Sequence, residues 1–137
     1  MREILFRGKS TTTGKWHEGS LLKVTLDGTT YSLIFGDNFL RVGMGVEALQ
    51  HSCVYPETVG QFTGLLDKNG KKIFEGDVVE GPDFTPEDDG YGVVYYKDGS
   101  FWVEGNSLTG TFSENYWSHS LEVIDNIHDN QELLKGE

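Results

Sequence analysis

Apolar and polar residues alternate with a period of two in several short stretches of this chain, the spacing of strands covered on one face. Residues 22–33 show it best. Asp27-Gly28 is a two-residue hairpin signal. With that turn, Leu26 pairs with Thr29, Thr25 with Thr30, Val24 with Tyr31, Lys23 with Ser32 and Leu22 with Leu33. One face then carries Leu22, Val24, Leu26, Tyr31 and Leu33, and the other carries Lys23, Thr25, Thr30 and Ser32. The first is the expected core face, since a slip of one residue would invert the pattern. A second hairpin, Tyr91 to Glu104, turns at Asp98-Gly99 and sets Tyr96 opposite Phe101, Tyr95 opposite Trp102 and Val94 opposite Val103. Val94, Tyr96, Phe101 and Val103 form its expected core face. Val93, Tyr95, Lys97, Ser100, Trp102 and Glu104 form a mixed one.

Between the hairpins, Gln61 to Val79 reads as strand, turn and strand, turning at Asp67-Lys68-Asn69-Gly70. Asp accepts local backbone hydrogen bonds there, Asn tolerates the left-handed region and Gly enters it freely. Ile4-Leu5-Phe6 is an expected first strand, Lys9 to Lys15 a polar loop, and Trp16 the start of a second strand. Phe39 to Val42 is a candidate strand, and Val46 to Gln50 is either one helical turn or a loop. Gly81 to Gly90 is an acidic loop, and Leu121 to Ile124 a last strand. Asn130 can cap a short helix from Gln131 to Leu134. The fold class is therefore all-β, mostly antiparallel hairpins, with a short C-terminal helix. An N-terminal β subdomain (1–55) and a second subdomain (56–137) either stand apart or share a core.

Composition narrows the chemistry. The 137 residues carry 22 acidic and 11 basic side chains, a formal net charge of −11. Nucleic-acid affinity rests mainly on Lys and Arg at phosphates, so this balance opposes a large phosphate footprint. Aromatic content of 12% offsets a modest hydrophobic fraction of 36%, because each ring buries a large apolar area. Cys53 is alone, which rules out an intramolecular disulfide and suits a reducing compartment. No window approaches the ~18 apolar residues of a membrane span. The expectation is a protein of the cytoplasm with no membrane partner.

Catalytic patterns are scarce. His17, His51, His119 and His128 form no His-Glu-x-x-His pair, and His51-Ser52-Cys53 offers two ligands where zinc takes three or four. Asp83, Glu87, Asp88 and Asp89 lack the spacing of a calcium loop. Neither a Gly-x-Ser-x-Gly elbow nor a phosphate-binding loop is present. The expectation is no enzyme, no cofactor, no metal and no catalytic residue. What remains is aromatic: Trp16, Tyr95, Trp102, Tyr116 and Trp117. Of these, Tyr95, Trp102 and Trp117 are the candidate partner surface.

Three ordered stretches resemble the YopX family of small phage and prophage proteins. The first is Arg2-Glu3-Ile4-Leu5-Phe6-Arg7-Gly8-Lys9, followed by Gly14-Lys15-Trp16 and Glu18-Gly19. The second runs from Pro56-Glu57-Thr58-Val59-Gly60 through Glu75-Gly76-Asp77-Val78-Val79. The third is Leu121-Glu122-Val123-Ile124-Asp125-Asn126-Ile127-His128-Asp129-Asn130, then Glu132-Leu133-Leu134. Asp125 stands where Gly is expected. The resemblance implies an SH3-like barrel in the C-terminal half, in keeping with short strands, tight turns and the Glu-Gly-Asp step. It implies a phage or prophage origin, the bacterial cytoplasm as location, and no particular reaction. The function expected is a protein-interaction or accessory module meeting a host or phage protein, with self-association into a homo-oligomer to cover strand edges. The alternatives are a nucleic-acid-associated module, if Arg2, Arg7, Lys9, Lys15 and Lys23 share a face, or an acidic DNA mimic occupying a host DNA-binding protein.

Overall fold

The computed structural model describes residues 3–36, 50–81, 91–105, 109–111 and 120–129. The chain divides into two compact units, Met1–Phe62 and Thr63–Glu137. Both are built from antiparallel strands, and regular helix among the described residues is short: the 3-10 turn Pro56–Thr58 and residues 50–52.

In the first unit, β1 (Phe6–Lys9), β2 (Trp16–Leu26), β3 (Thr29–Phe35), β4 (Cys53–Val54) and the start of β5 (Gly60–Leu66) lie in the order β4-β3-β2-β1-β5. The first strand begins later than its apolar run suggests, and Ile4 is exposed. The expected polar loop after Lys9 is a tight turn. Ser10, fully buried, accepts the Thr12 and Thr13 amides at its Oγ (3.1 and 3.2 Å), and Gly14 closes the turn at φ 74°.

The β2–β3 hairpin has the expected register throughout, extended to Leu21↔Ile34 and Ser20↔Phe35. Asp27 (φ 50°) and Gly28 (φ 81°) both sit in the left-handed region, as a twist-matched two-residue turn requires. Its burial departs from expectation. Leu33 is buried, but Leu22, Leu26 and Tyr31 of the same face are 45%, 60% and 44% exposed. The reason is topological: β1 pairs only Trp16–Gly19 of β2, and β4 pairs only Ser32 and Leu33 of β3. At this root Ser32, Leu33 and Ile34 are buried in succession, so both faces are covered there. Beyond it, among the described residues, the hairpin is a two-stranded ribbon.

The second unit holds the rest of β5, β6 (Lys72–Phe74) and a five-stranded sheet. That sheet comprises β7 (Asp77–Glu80), β8 (Gly92–Lys97), β9 (Ser100–Gly105), β10 (Thr109–Thr111) and β11 (Glu122–Asn126) in the order β10-β9-β8-β7-β11. Its core is Ile73, Val79, Val94, Val103, Leu121 and Val123, with Phe101 packed against it. Tyr96, expected in this core, is 49% exposed at the hairpin tip and meets Phe101 edge-on at 5.0 Å. Among the described residues β10 and β11 do not pair, so the sheet is open where a closed barrel would join its edges. The candidate strand 39–42, most of the 46–50 segment, the acidic loop and the capped terminal helix lie outside the described residues.

Strand β11 carries a bulge. Val123 pairs with Val79 and Asp125 with Val78, leaving Ile124 extra and exposed. Asp125 itself needs no glycine: among the described non-glycine residues only Asp27 and Asp98 have positive φ. Gly76 does need to be one. At φ +90° it donates its amide to Val94 and accepts that of Ile127, and an added Cβ would lie 3.3 Å from His128 Nε2. Gly76→Ala is expected to cost about 2 kcal/mol through left-handed strain and this contact, read as a lower urea midpoint at unchanged slope.

Candidate functional site

The outer face of the β8–β9 hairpin collects the aromatic residues that the core leaves over. Asp98 (φ 53°) and Gly99 (φ 80°) make the turn, which fixes Tyr95 opposite Trp102. Strand alternation then sends Val94 and Val103 inward and Tyr95 and Trp102 outward. The two rings stack, with centroids 6.4 Å apart and planes 15° from parallel, and both are half-buried. The Trp102 indole N–H donates to the Lys97 carbonyl oxygen at 2.9 Å, which fixes the ring's orientation at the turn. Burial, then the nearby Glu104 carboxylate, pushes the Tyr95 hydroxyl up from its ordinary value, so the phenol stays neutral in physiological conditions. The face presents a flat double-ring surface with Glu104 toward one end and Lys97 toward the other. It suits contact with apolar, aromatic or cationic groups and supplies no nucleophile. Trp117, the third expected member, lies outside the described residues, as does Tyr116.

Trp16 belongs to a different arrangement, in the first unit. The Arg7 guanidinium lies 4.6 Å and the Lys9 ammonium 5.6 Å from its ring centroid. Arg7 and Lys9 are two apart on β1 and so share a face, and Lys9 pairs directly with Trp16. Arg7 is 8% exposed, which leaves little of it for a phosphate footprint. This seat was not legible in the sequence, because the tight turn at Ser10 that sets the β1–β2 register resembles no standard two-residue hairpin.

The remaining titratable candidates, His17, His51 and Cys53, lie in the first unit. His17 and His51 are half-buried on the same unit, and burial, then the charge of His51, lowers the pKa of His17. Burial pushes the Cys53 thiol up, away from thiolate reactivity. Among the described residues no three His, Cys, Asp or Glu side chains are placed to hold a metal ion. No described helix is long and apolar enough to cross a membrane.

The central stretch turns out to be a latch. Asp67 is 5% exposed; its Oδ1 accepts the amides of Asn69 (2.8 Å) and Lys71 (2.9 Å), and its Oδ2 accepts that of Val123 (3.0 Å). Burial alone would raise its pKa. The bonds from Val123, Lys71 and Asn69, with the charge of Lys71, outweigh burial and hold the carboxyl below its usual range. The Lys68 amide adds a bond to the Leu121 carbonyl at 2.8 Å. Ten residues on, Asp77 is 1% exposed and its Oδ2 accepts the Phe74 amide at 2.8 Å.

The family model described as "YopX protein" matches residues 5–135, nearly the whole chain. The chain belongs to the YopX family. No curated protein matches it. Among solved structures, protein EF1440 from Enterococcus faecalis is similar at 24% identity and a TM-score of 0.54, over 98% of this chain and 99% of that one. That likeness speaks to the fold alone. In this YopX chain the three stretches that carry the family resemblance are the places where the fold is tied together. Thr58 Oγ1 accepts the Lys9 amide (2.9 Å), joining the first stretch to the second. Asp67 meets Val123, and Gly76 meets Ile127, joining the second to the third. These contacts of the signature hold the fold, and Tyr95 and Trp102 are not among the residues that carry the resemblance.

Proposed function

We propose that this YopX protein is a non-enzymatic interaction module that binds a host or phage protein through the outer aromatic face of β8–β9, with the five-stranded sheet as the SH3-like part of its scaffold. One observation carries this reading: the stacked, half-buried Tyr95–Trp102 pair, held in orientation by the Lys97 carbonyl. Rigid aromatic side chains dominate binding energy at interfaces because they bury large area for little lost rotamer freedom. The net charge of −11 favours a partner with a basic surface. No cofactor enters the proposal.

The test is affinity capture of the tagged protein from host lysate, with and without nuclease, followed by titration of the captured partner against Trp102→Ala and Tyr95→Ala. A nuclease-resistant protein partner is expected, with Trp102→Ala weakening it by about 30-fold, the size of a hot-spot truncation. Far-UV circular dichroism should show both variants folded. Capture that vanishes with nuclease supports the nucleic-acid reading instead. Retrieval of basic DNA-binding proteins that DNA competes away supports the DNA-mimic reading. A variant that loses its fold, or binds unchanged, sinks the aromatic face as the contact.

A further inference from the structure

The tip of the β2–β3 hairpin has the opposite character to the rest of this acidic molecule. Between Ser20 and Gly36 the only charged side chains are Lys23 and Asp27, so the ribbon is neutral within a chain of net charge −11. Its Leu22, Leu26 and Tyr31 are exposed on one face. Among the described residues no strand pairs the outer edge of β2 beyond Gly19. A two-stranded ribbon with an open edge and an open apolar face is marginal in water and is a template for another strand.

We infer that this edge pairs with the same edge of a second copy, antiparallel about a twofold axis, to form a homodimer; this goes beyond the aromatic-face reading and does not depend on it. In a two-residue hairpin the residues flanking the turn exchange hydrogen bonds, so Leu26, Val24 and Leu22 point their amides and carbonyls at β3. Leu21, Lys23 and Thr25 point theirs outward, where a partner strand can take them. An axis at Lys23 would oppose two like charges, which is unfavourable. An axis at Thr25 sets Lys23 of each copy against Asp27 of the other, twice by symmetry, and lays Val24 beside Leu26 across the seam. Such an isologous contact closes on itself. The neutral ribbon is also where two acidic copies approach with least repulsion.

Sedimentation velocity of the full chain over a range of concentrations tests this, with three variants. Wild-type protein is expected to self-associate. Lys23→Asp and Asp27→Lys each create a like-charged pair across the axis, and each is expected to remain monomeric. An equimolar mixture of the two variants restores opposite charges on both sides and is expected to associate again. Leu26→Lys, at an exposed strand position outside the two turn residues, is expected to be monomeric and folded even if Asp27→Lys disturbs its own turn. The proposal is overturned if wild type is monomeric throughout, if association survives Lys23→Asp and Leu26→Lys, or if the mixture stays monomeric.

Discussion

Asp67→Ala is expected to lower stability by about 3 kcal/mol, or roughly 10 °C in Tm for a chain of this size, and to do so most where the carboxylate is ionised. Three backbone amides lose a charged acceptor at once. Those of Asn69 and Lys71 lie at a turn where water can replace it, but that of Val123 is buried. A buried amide left without an acceptor costs ~1–3 kcal/mol, more than the net worth of an ordinary hydrogen bond. The pH dependence gives the sign. The folded-state pKa of Asp67 is depressed below the ordinary aspartate value, so its contribution is complete above that ordinary value and is progressively lost as pH falls through the folded pKa. Wild type and variant should therefore differ most at neutral pH, and the difference should shrink as pH falls below about pH 4, down to what a protonated carboxyl still accepts from Val123. Urea titrations at neutral and acid pH check this. A difference that persists unchanged in acid would show that Asp67 acts through packing and not through its charge. Asp67→Asn keeps one acceptor oxygen and should fall between the two.

That latch shows what sequence could and could not disclose. Asp67-Lys68-Asn69-Gly70 is readable as a turn because Asp, Asn and Gly each have a local backbone reason to be there. The second role of Asp67, reaching Val123 56 residues away, has no local signal. The two Asp-Gly hairpins were legible to the exact pair, since a two-residue turn fixes register by itself. Which face is covered is a different question, settled by what lies against the strands. Val94 and Val103 are covered as expected, whereas Leu22, Leu26 and Tyr31 are not, because the neighbours of β2 and β3 reach only the root of the ribbon.

The candidate site was legible for the same reason as the register. Once Asp98-Gly99 is the turn, Tyr95 and Trp102 must be opposite each other on the face away from Val94 and Val103. The indole bond to Lys97 was not legible, since it depends on a rotamer. The Arg7–Trp16–Lys9 seat was missed because its register hangs on a four-residue turn organised by the buried Ser10 hydroxyl. These cases share a rule: pairs set by short-range turn chemistry can be read from sequence, and pairs set by side-chain capture of a distant or irregular backbone cannot.

Gly19→Ala is expected to be at least as damaging as loss of the latch, by about 3 kcal/mol, through steric exclusion alone. Gly19 does not have positive φ, so alanine could adopt its backbone conformation without strain. A Cβ there would fall on the Phe35 carbonyl oxygen, and the reciprocal Cβ on Gly36 would fall on the Glu18 carbonyl oxygen. The two glycines allow β2 and the end of β3 to approach backbone to backbone, and a backbone cannot rotate aside as a side chain can. Relief requires parting the strands at Ser20↔Phe35, next to Leu21↔Ile34, and Ile34 is 1% exposed at the root of the ribbon. Overpacking of this kind costs ~1–3 kcal/mol where side chains can yield, so the upper end applies where they cannot. Gly14→Ala is the matched control. Gly14 has φ +74° with nothing within 4 Å of an added Cβ, so only the left-handed preference is lost, at ~1 kcal/mol. Denaturant titration should rank Gly19→Ala well below Gly14→Ala, and hydrogen exchange should show faster opening at Ile34 and Phe35 in the former. Equal costs for the two variants would mean that the strands part easily at this crossing and that the root of the ribbon is held by something other than close backbone packing.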